Sequence, residues 1–183
     1  HRSGEYRLHE ALRADPPFVK GAVFMIRIAG WILSLLAVTG ATAQELRVGW
    51  AEADITPDLK AGPVFIAGFG HNRRATDIAD PLMARAVVLS DGAKTLAIVS
   101  IDVIGFFHEN VEHVRSQLRG IDHLVVSSTH NHEGPDTLGL WGPLPTTCGV
   151  DPAYIKKLER TIVDVVHSAR QELKPATARI GRI

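Results

Sequence analysis

Apolar and polar residues alternate, run together or recur at helical spacing in separate stretches of this chain, and each pattern predicts an element. Leu46 to Ala53 mixes the two kinds and reads as a first strand, closed by Asp54-Ile55-Thr56-Pro57. Arg85 to Ser90 and Thr95 to Ile101 read as two further strands. Asp91-Gly92 between them is a hairpin signal, so these strands are expected to be antiparallel neighbours. Val111, Val114 and Leu118 recur at helical spacing and predict a helix from about Glu109 to Leu118, ended by Gly120. Ile121 to Ser128 is the next strand, and the strand–helix–strand order from Thr95 to Ser128 predicts a parallel, right-handed crossover. A long loop, Glu133 to Val150, is rich in Gly, Pro and Thr. Asp151 and Pro152 then supply an N-cap and a first helical position. Ile155, Leu158, Ile162, Val165, Val166, Ala169 and Leu173 form an apolar stripe that Lys174-Pro175 ends, and Ala178 to Ile183 reads as a further strand. The pattern predicts an α/β fold: a mixed β-sheet with a hairpin and parallel crossover units, flanked by helices. It is expected to be truncated at the C-terminus, with the sheet running on past Ile183.

The first part of the chain follows different rules. Met25-Ile26-Arg27 is a short positive start, Ile28 to Val38 an apolar run broken only by Gly30 and Ser34, and Ala41-Thr42-Ala43 a small-x-small cleavage site. Together they read as a signal peptide over 25–43, which places the mature chain, 44–183, in a secreted or periplasmic setting. The apolar run falls short of the roughly 20 residues that span a bilayer. Residues 1–24 lack periodicity and precede the expected start at Met25. They read as translated upstream sequence outside the fold.

Charge adds an exclusion. Among 183 residues, 20 Lys and Arg balance 20 Asp and Glu without a basic stripe, so no nucleic acid is expected as a partner. A single cysteine, Cys148, permits no intrachain disulfide, and no motif frames it as a nucleophile.

Candidate chemistry gathers after the Ile121–Ser128 strand, in Ser127-Ser128-Thr129-His130-Asn131-His132-Glu133-Gly134-Pro135-Asp136. Side chains at i and i+2 of extended backbone share a side, and neutral imidazole is a preferred zinc ligand. Either both rings, His130 and His132, face one cation, or one binds it while the other polarises a substrate. Gly134-Pro135 then turns the chain, which puts the pair at the carboxyl end of a strand, where open α/β sheets carry ligands. Asp102 closes the preceding strand and reads either as a carboxylate orienting a histidine or as a turn or cap residue. Glu133 is either an acid/base group beside a metal or a solvated loop charge. Arg73 and Arg74 read either as a pair meeting an anionic group or as a solvated surface pair. His71, His108, His113, His123 and His167 carry no motif and default to structural roles, with His108 and His113 on or beside a helix and exposed.

Several of these segments resemble the amino-terminal domain of the neutral/alkaline, non-lysosomal ceramidases and their bacterial relatives. Val48 to Pro57 looks like that family's opening strand with its Asp-Ile-Thr-Pro element. Asp80 to Leu89 is similar to its Ala-Arg-Ala strand, and Ile98 to Asp102 to the strand ending in aspartate. Thr129-His130-Asn131-His132-Glu133-Gly134-Pro135 resembles its Thr-His-Thr-His-Ser-Gly-Pro loop, with Asn131 and Glu133 as departures. The elements come in the family's order across most of Val48 to Ile183. The resemblance implies a zinc-dependent amidohydrolase of sphingolipid metabolism, which splits the N-acyl amide of ceramide or a similar lipid amide and meets a membrane surface through its substrate. It implies that His130 is a zinc ligand. His132 would lie beside the metal and act catalytically by positioning or polarising the scissile carbonyl. The family's remaining ligands (a histidine, a glutamate and a tyrosine) and its serine lie downstream of this sequence, so the fragment carries part of a site. Leu138, Leu140, Trp141 and Leu144 either line a groove for acyl chains or pack the loop.

Two other readings compete. One is a metal hydrolase of other specificity. Metallo-β-lactamase-like enzymes follow the His-x-His pair with Asp-His, where this chain has Glu133-Gly134. Barrel amidohydrolases carry the pair on their first strand, whereas at least three strands precede it here. The other is a non-catalytic secreted binding or surface domain, which predicts no bound metal.

Overall fold

A computed structural model describes residues 45–182 of the chain. The segments read as upstream translation and signal peptide lie outside the described residues.

Three strands open the fold: β1 (Arg47–Asp54), β2 (Met83–Ser90) and β3 (Thr95–Ile101). β2 and β3 form the expected hairpin, with Ala84 opposite Ile101 and Ser90 opposite Thr95. Its turn is closed by the Asp91 carboxylate, which accepts from the backbone N–H of Ala93 at 2.9 Å and of Lys94 at 2.7 Å. These two N–H groups hold the Asp91 carboxyl below its usual range, Lys94 most. β1 pairs antiparallel with β2 along its whole length, from Arg47 opposite Ser90 to Asp54 opposite Met83. A helix, α1 (His108–Gln117), leads to β4 (His123–Ser128), which pairs parallel with β3. The final helix, α2 (Pro152–Gln171), is capped by Asp151, whose carboxylate accepts from Ala153 N at 2.8 Å.

One strand departs from the sequence reading. Residues 178–182 form no strand and are exposed. The short β5 (Lys174–Pro175) instead follows α2 directly and pairs with β1 at Val48 and Arg47. Pro175 has no N–H to give a ladder, which suits it to this edge position. The sheet order is β4-β3-β2-β1-β5.

Both helices cover one face of the sheet. Ala84, Ala86 and Val88 of β2 and Ala97, Val99 and Ile101 of β3 are sealed there against Leu158, Ile162, Val165 and Val166 of α2. Small alanines under a helix let it approach, and Gly49 carries this furthest: a methyl group built there would collide with the carbonyl oxygen of Ala169. α1 contributes Val114 and, just past its end, Leu118. On α2 the buried residue in the first turn is Tyr154, with Ile155 only half-buried. The tyrosine hydroxyl donates to the carbonyl of Ile55 at 2.8 Å, so its ring seals the core while its polar end is satisfied. The opposite face carries an apolar row in register across four strands, Trp50, Val87, Ile98 and Val125, all exposed.

Candidate metal centre

β3 and β4 run parallel, so their carboxyl ends lie side by side, and the chain leaves both toward the same edge. His130 follows β4 by two residues with φ at +62°. Its Nδ1 lies 2.9 Å from the carbonyl oxygen of Ile104, on the segment leaving β3. A carbonyl only accepts, so Nδ1 carries the proton and the Nε2 lone pair is free. Metal-binding histidines are oriented in this manner, with the far nitrogen tied to a carbonyl or carboxylate. His130 is an exposed residue, open to a ligand. Its left-handed backbone is uncommon for a residue with a side chain and is held by Asn131 N donating to the carbonyl of Val103 at 3.3 Å.

His132 is brought beside it, with ring centroids 4.8 Å apart and nearly perpendicular. Its other neighbours are Phe69 at 5.3 Å and Trp141 at 6.5 Å between centroids. Nδ1 of His132 is buried without a hydrogen-bond partner. The two expected ligand candidates therefore come together on one side of the loop. Among the described residues, no group of three or more His, Cys, Asp or Glu side chains is placed to hold a metal. His130 fits part of a zinc site, with Nε2 left free and the ring fixed by its backbone bond, and His132 stands beside it with its ring 4.8 Å away between centroids.

The neighbouring residues resolve the open alternatives. Asp102 orients no histidine among the described contacts. Its Oδ2 accepts from Met83 N and from Arg85 Nη1, both at 3.0 Å, and so ties the end of β3 to β2. The Ile104 carbonyl takes the orienting role read for Asp102. Glu133 faces Arg73, in a pair at 3.1 Å. Arg74 is exposed, donating to Asn72 Oδ1 and covering the Phe65 ring, whereas Arg73 is half-buried, meets the Glu133 carboxylate and also donates to Gly68 O. Of the four loop residues read as a possible groove, Leu138 packs inward near Gly105, Leu140 and Leu144 are exposed, and only Trp141 reaches the histidines. A cavity of about 560 Å³ lies beside the loop, lined by Leu59, Ile66, Ile78, Leu82, Asn131 and Glu133. Both departures from the ceramidase loop thus face this cavity. His108 and His113 are exposed, and Cys148 is an exposed free thiol.

Asp136 organises the loop and received no role from the sequence. It is 1% exposed. Its carboxylate accepts from four backbone N–H groups, those of Leu138, Gly139, Trp141 and Gly149, at 2.7–3.2 Å. This hub sets the course of the 136–149 loop and so the place of Trp141. The signal available was an Asp opening a Gly-rich loop, a common turn former.

Comparison with known proteins agrees with the fold. No protein-family model and no curated protein matches the chain. A solved structure of neutral ceramidase from Pseudomonas aeruginosa matches with a TM-score of 0.60 and 23% identity, over 72% of this chain and 22% of that one. A structure of a ceramidase complexed with C2 matches with a TM-score of 0.58 and 22% identity, over the same shares. The likeness is one of fold, and the chain spans about a fifth of the length of these neighbours. Among the described residues, no helix is long and apolar enough to cross a membrane.

Proposed function

We propose that this chain contributes part of the zinc centre of an amidohydrolase acting on the N-acyl bond of ceramide or a similar lipid amide. The observation that carries the reading is His130, displayed at the end of β4 with Nδ1 committed to the Ile104 carbonyl and Nε2 left free. The fold likeness to neutral ceramidase and the motif resemblance support it. His130 would hold the metal. His132, 4.8 Å away between ring centroids, would lie beside it and orient or polarise the amide carbonyl. Zinc, when bound, supplies Lewis-acid polarisation and lowers the pKa of water. Hydrolysis adds water across the amide bond and yields a fatty acid and a sphingoid amine. The signal-peptide reading places the reaction outside the cytosol, and the apolar substrate brings the protein to a lipid surface.

The test is cleavage of a fluorescently tagged ceramide by the whole gene product, with and without a chelator, in wild type and His130→Ala. Both chelation and the substitution are expected to abolish cleavage, and readdition of zinc to restore it in the wild type alone. Cleavage that survives either treatment rules the reading out.

A further inference from the structure

We infer that Gly68 and Arg73 are positioning residues for His132: with Glu133 they form a wall that fixes the plane of its ring and leaves Nε2 as its working nitrogen. The role in the reaction rests on the reading of His132 as the group beside the metal. The geometry of the wall does not.

The two histidines are held by different means. His130 has a hydrogen bond to fix its ring, whereas Nδ1 of His132 is buried without one. What faces that nitrogen is the backbone of Gly68. A methyl group built on Gly68 would collide with Nδ1 and stand 3.1 Å from both Cε1 and Cγ of the ring. Gly68 also has φ at +87°, which favours glycine on its own account. A nitrogen shut against a backbone in this way can neither take up nor deliver a proton at a substrate. The work falls to Nε2.

Arg73 locks the wall in place. Its Nη1 donates to the Gly68 carbonyl at 3.1 Å, and its Nη2 donates to both carboxylate oxygens of Glu133, at 3.3 and 3.1 Å. Glu133 directly follows His132, so one guanidinium joins the wall to the residue beside the ring. The same guanidinium lies 5.5 Å from the centroid of Phe69, whose ring in turn flanks His132. Phe69 sits at φ +57°, an uncommon conformation for a bulky residue that these contacts hold. Backbone bonds fasten both sides of the slot. Ala67 N donates to Gly134 O at 3.0 Å, Ile66 N to Arg73 O at 2.8 Å, and Asn72 N to Gly142 O at 2.9 Å beside Trp141. The Arg73–Glu133 pair is substantially exposed, with 32% and 67% of the side chains accessible, so it adds little to global stability. Its effect is local.

The experiment uses the full chain with ¹⁵N-labelled histidine rings, zinc-free, at one fixed pH, and compares wild type with Arg73→Gln, Glu133→Gln and Arg73→Lys. Arg73→Gln is preferred to Gly68→Ala, which would push the His132 ring aside by contact and strain the backbone at φ +87°. The wall predicts that Arg73→Gln and Glu133→Gln shift the His132 ring signals and leave those of His130 in place. It also predicts that Arg73→Lys, which keeps the charge, restores them in part, and that the melting temperature barely changes. Zinc affinity in Arg73→Gln should then fall by about tenfold, the lower end for groups that orient a metal site. His132 signals unmoved in both Arg73→Gln and Glu133→Gln overturn the wall, whatever zinc does. Shifted His132 signals with unchanged zinc affinity uphold the wall and instead overturn a share of His132 in holding the metal.

Discussion

Beneath α2 the sheet presents Val88, Val99 and Ile101 to Leu158 and Ile162, all essentially inaccessible. At the strand ends, a few directed hydrogen bonds do the holding: Asp136 to four N–H groups, His130 to Ile104, Arg73 to Gly68 and Glu133. The first region depends on apolar area, which is non-directional and tolerates exchange of similar residues. The second depends on single atoms, each with few substitutes. The scaffold can therefore persist while its loops are altered, and the loops can lose their geometry without the scaffold melting.

Substitutions in the two regions should separate along that line. Leu158→Ala removes a fully buried side chain and is expected to cost about 2–5 kcal/mol, read as a shifted denaturant midpoint with an unchanged slope. Asp136→Asn turns one carboxylate oxygen into a donor facing backbone N–H groups. The expected cost is about 1–3 kcal/mol, with a change in the loop carrying Trp141 that Leu158→Ala does not produce. A loss at Asp136 as large as that at Leu158, with the whole fold melting, would erase the distinction.

Tyr154 joins the two regions, since its ring is in the core and its hydroxyl holds Ile55. Burial, and secondarily the Asp54 charge, raises its pKa above the ordinary 10.0. In the unfolded chain the phenol ionises near its ordinary value, whereas in the fold it stays protonated. The unfolded state thus binds fewer protons above that pH, and stability falls as pH rises past it. Tyr154→Phe should cost about 1 kcal/mol at neutral pH by losing the hydrogen bond. It should also flatten the alkaline decline, as followed by urea unfolding from pH 8 to 11. A decline of unchanged steepness in the variant would move its origin elsewhere.

The smallest effect is expected on the open face of the sheet. Trp50 is 67% exposed, so Trp50→Ala should change stability by no more than about 0.5 kcal/mol. A larger loss by thermal melting would mean that this face is covered in solution.

The same division governs how much was legible in the residues. The Asp91-Gly92 hairpin, the α2 stripe with its Asp151 cap, and the parallel pairing of β3 and β4 all rest on periodicity and local turn chemistry, and they stand in the structure. Tyr154 escaped the stripe because a polar hydroxyl disguised a core position. The strand expected from Ala178 to Ile183 is not formed over the described residues 178–182: extended backbone pairs only where a neighbour offers a free edge, and β1 is taken there by Lys174-Pro175. In the loops, the His130–His132 pair was visible as a local motif. Its supports were not, because Ile104, Gly68, Arg73 and Asp136 act on it through contacts between residues up to 64 positions apart. Asp102 reads from the sequence either as a histidine-orienting carboxylate or as a turn or cap residue, and its carboxylate turns to Met83 N and Arg85.

The decisive measurement is zinc titration of the whole gene product by calorimetry, in wild type, His130→Ala and His132→Ala. The wild type is expected to take up zinc, His130→Ala to lose uptake, and His132→Ala to bind more weakly. Zinc uptake by His130→Ala equal to that of the wild type would contradict the assignment of His130 as the metal-holding residue.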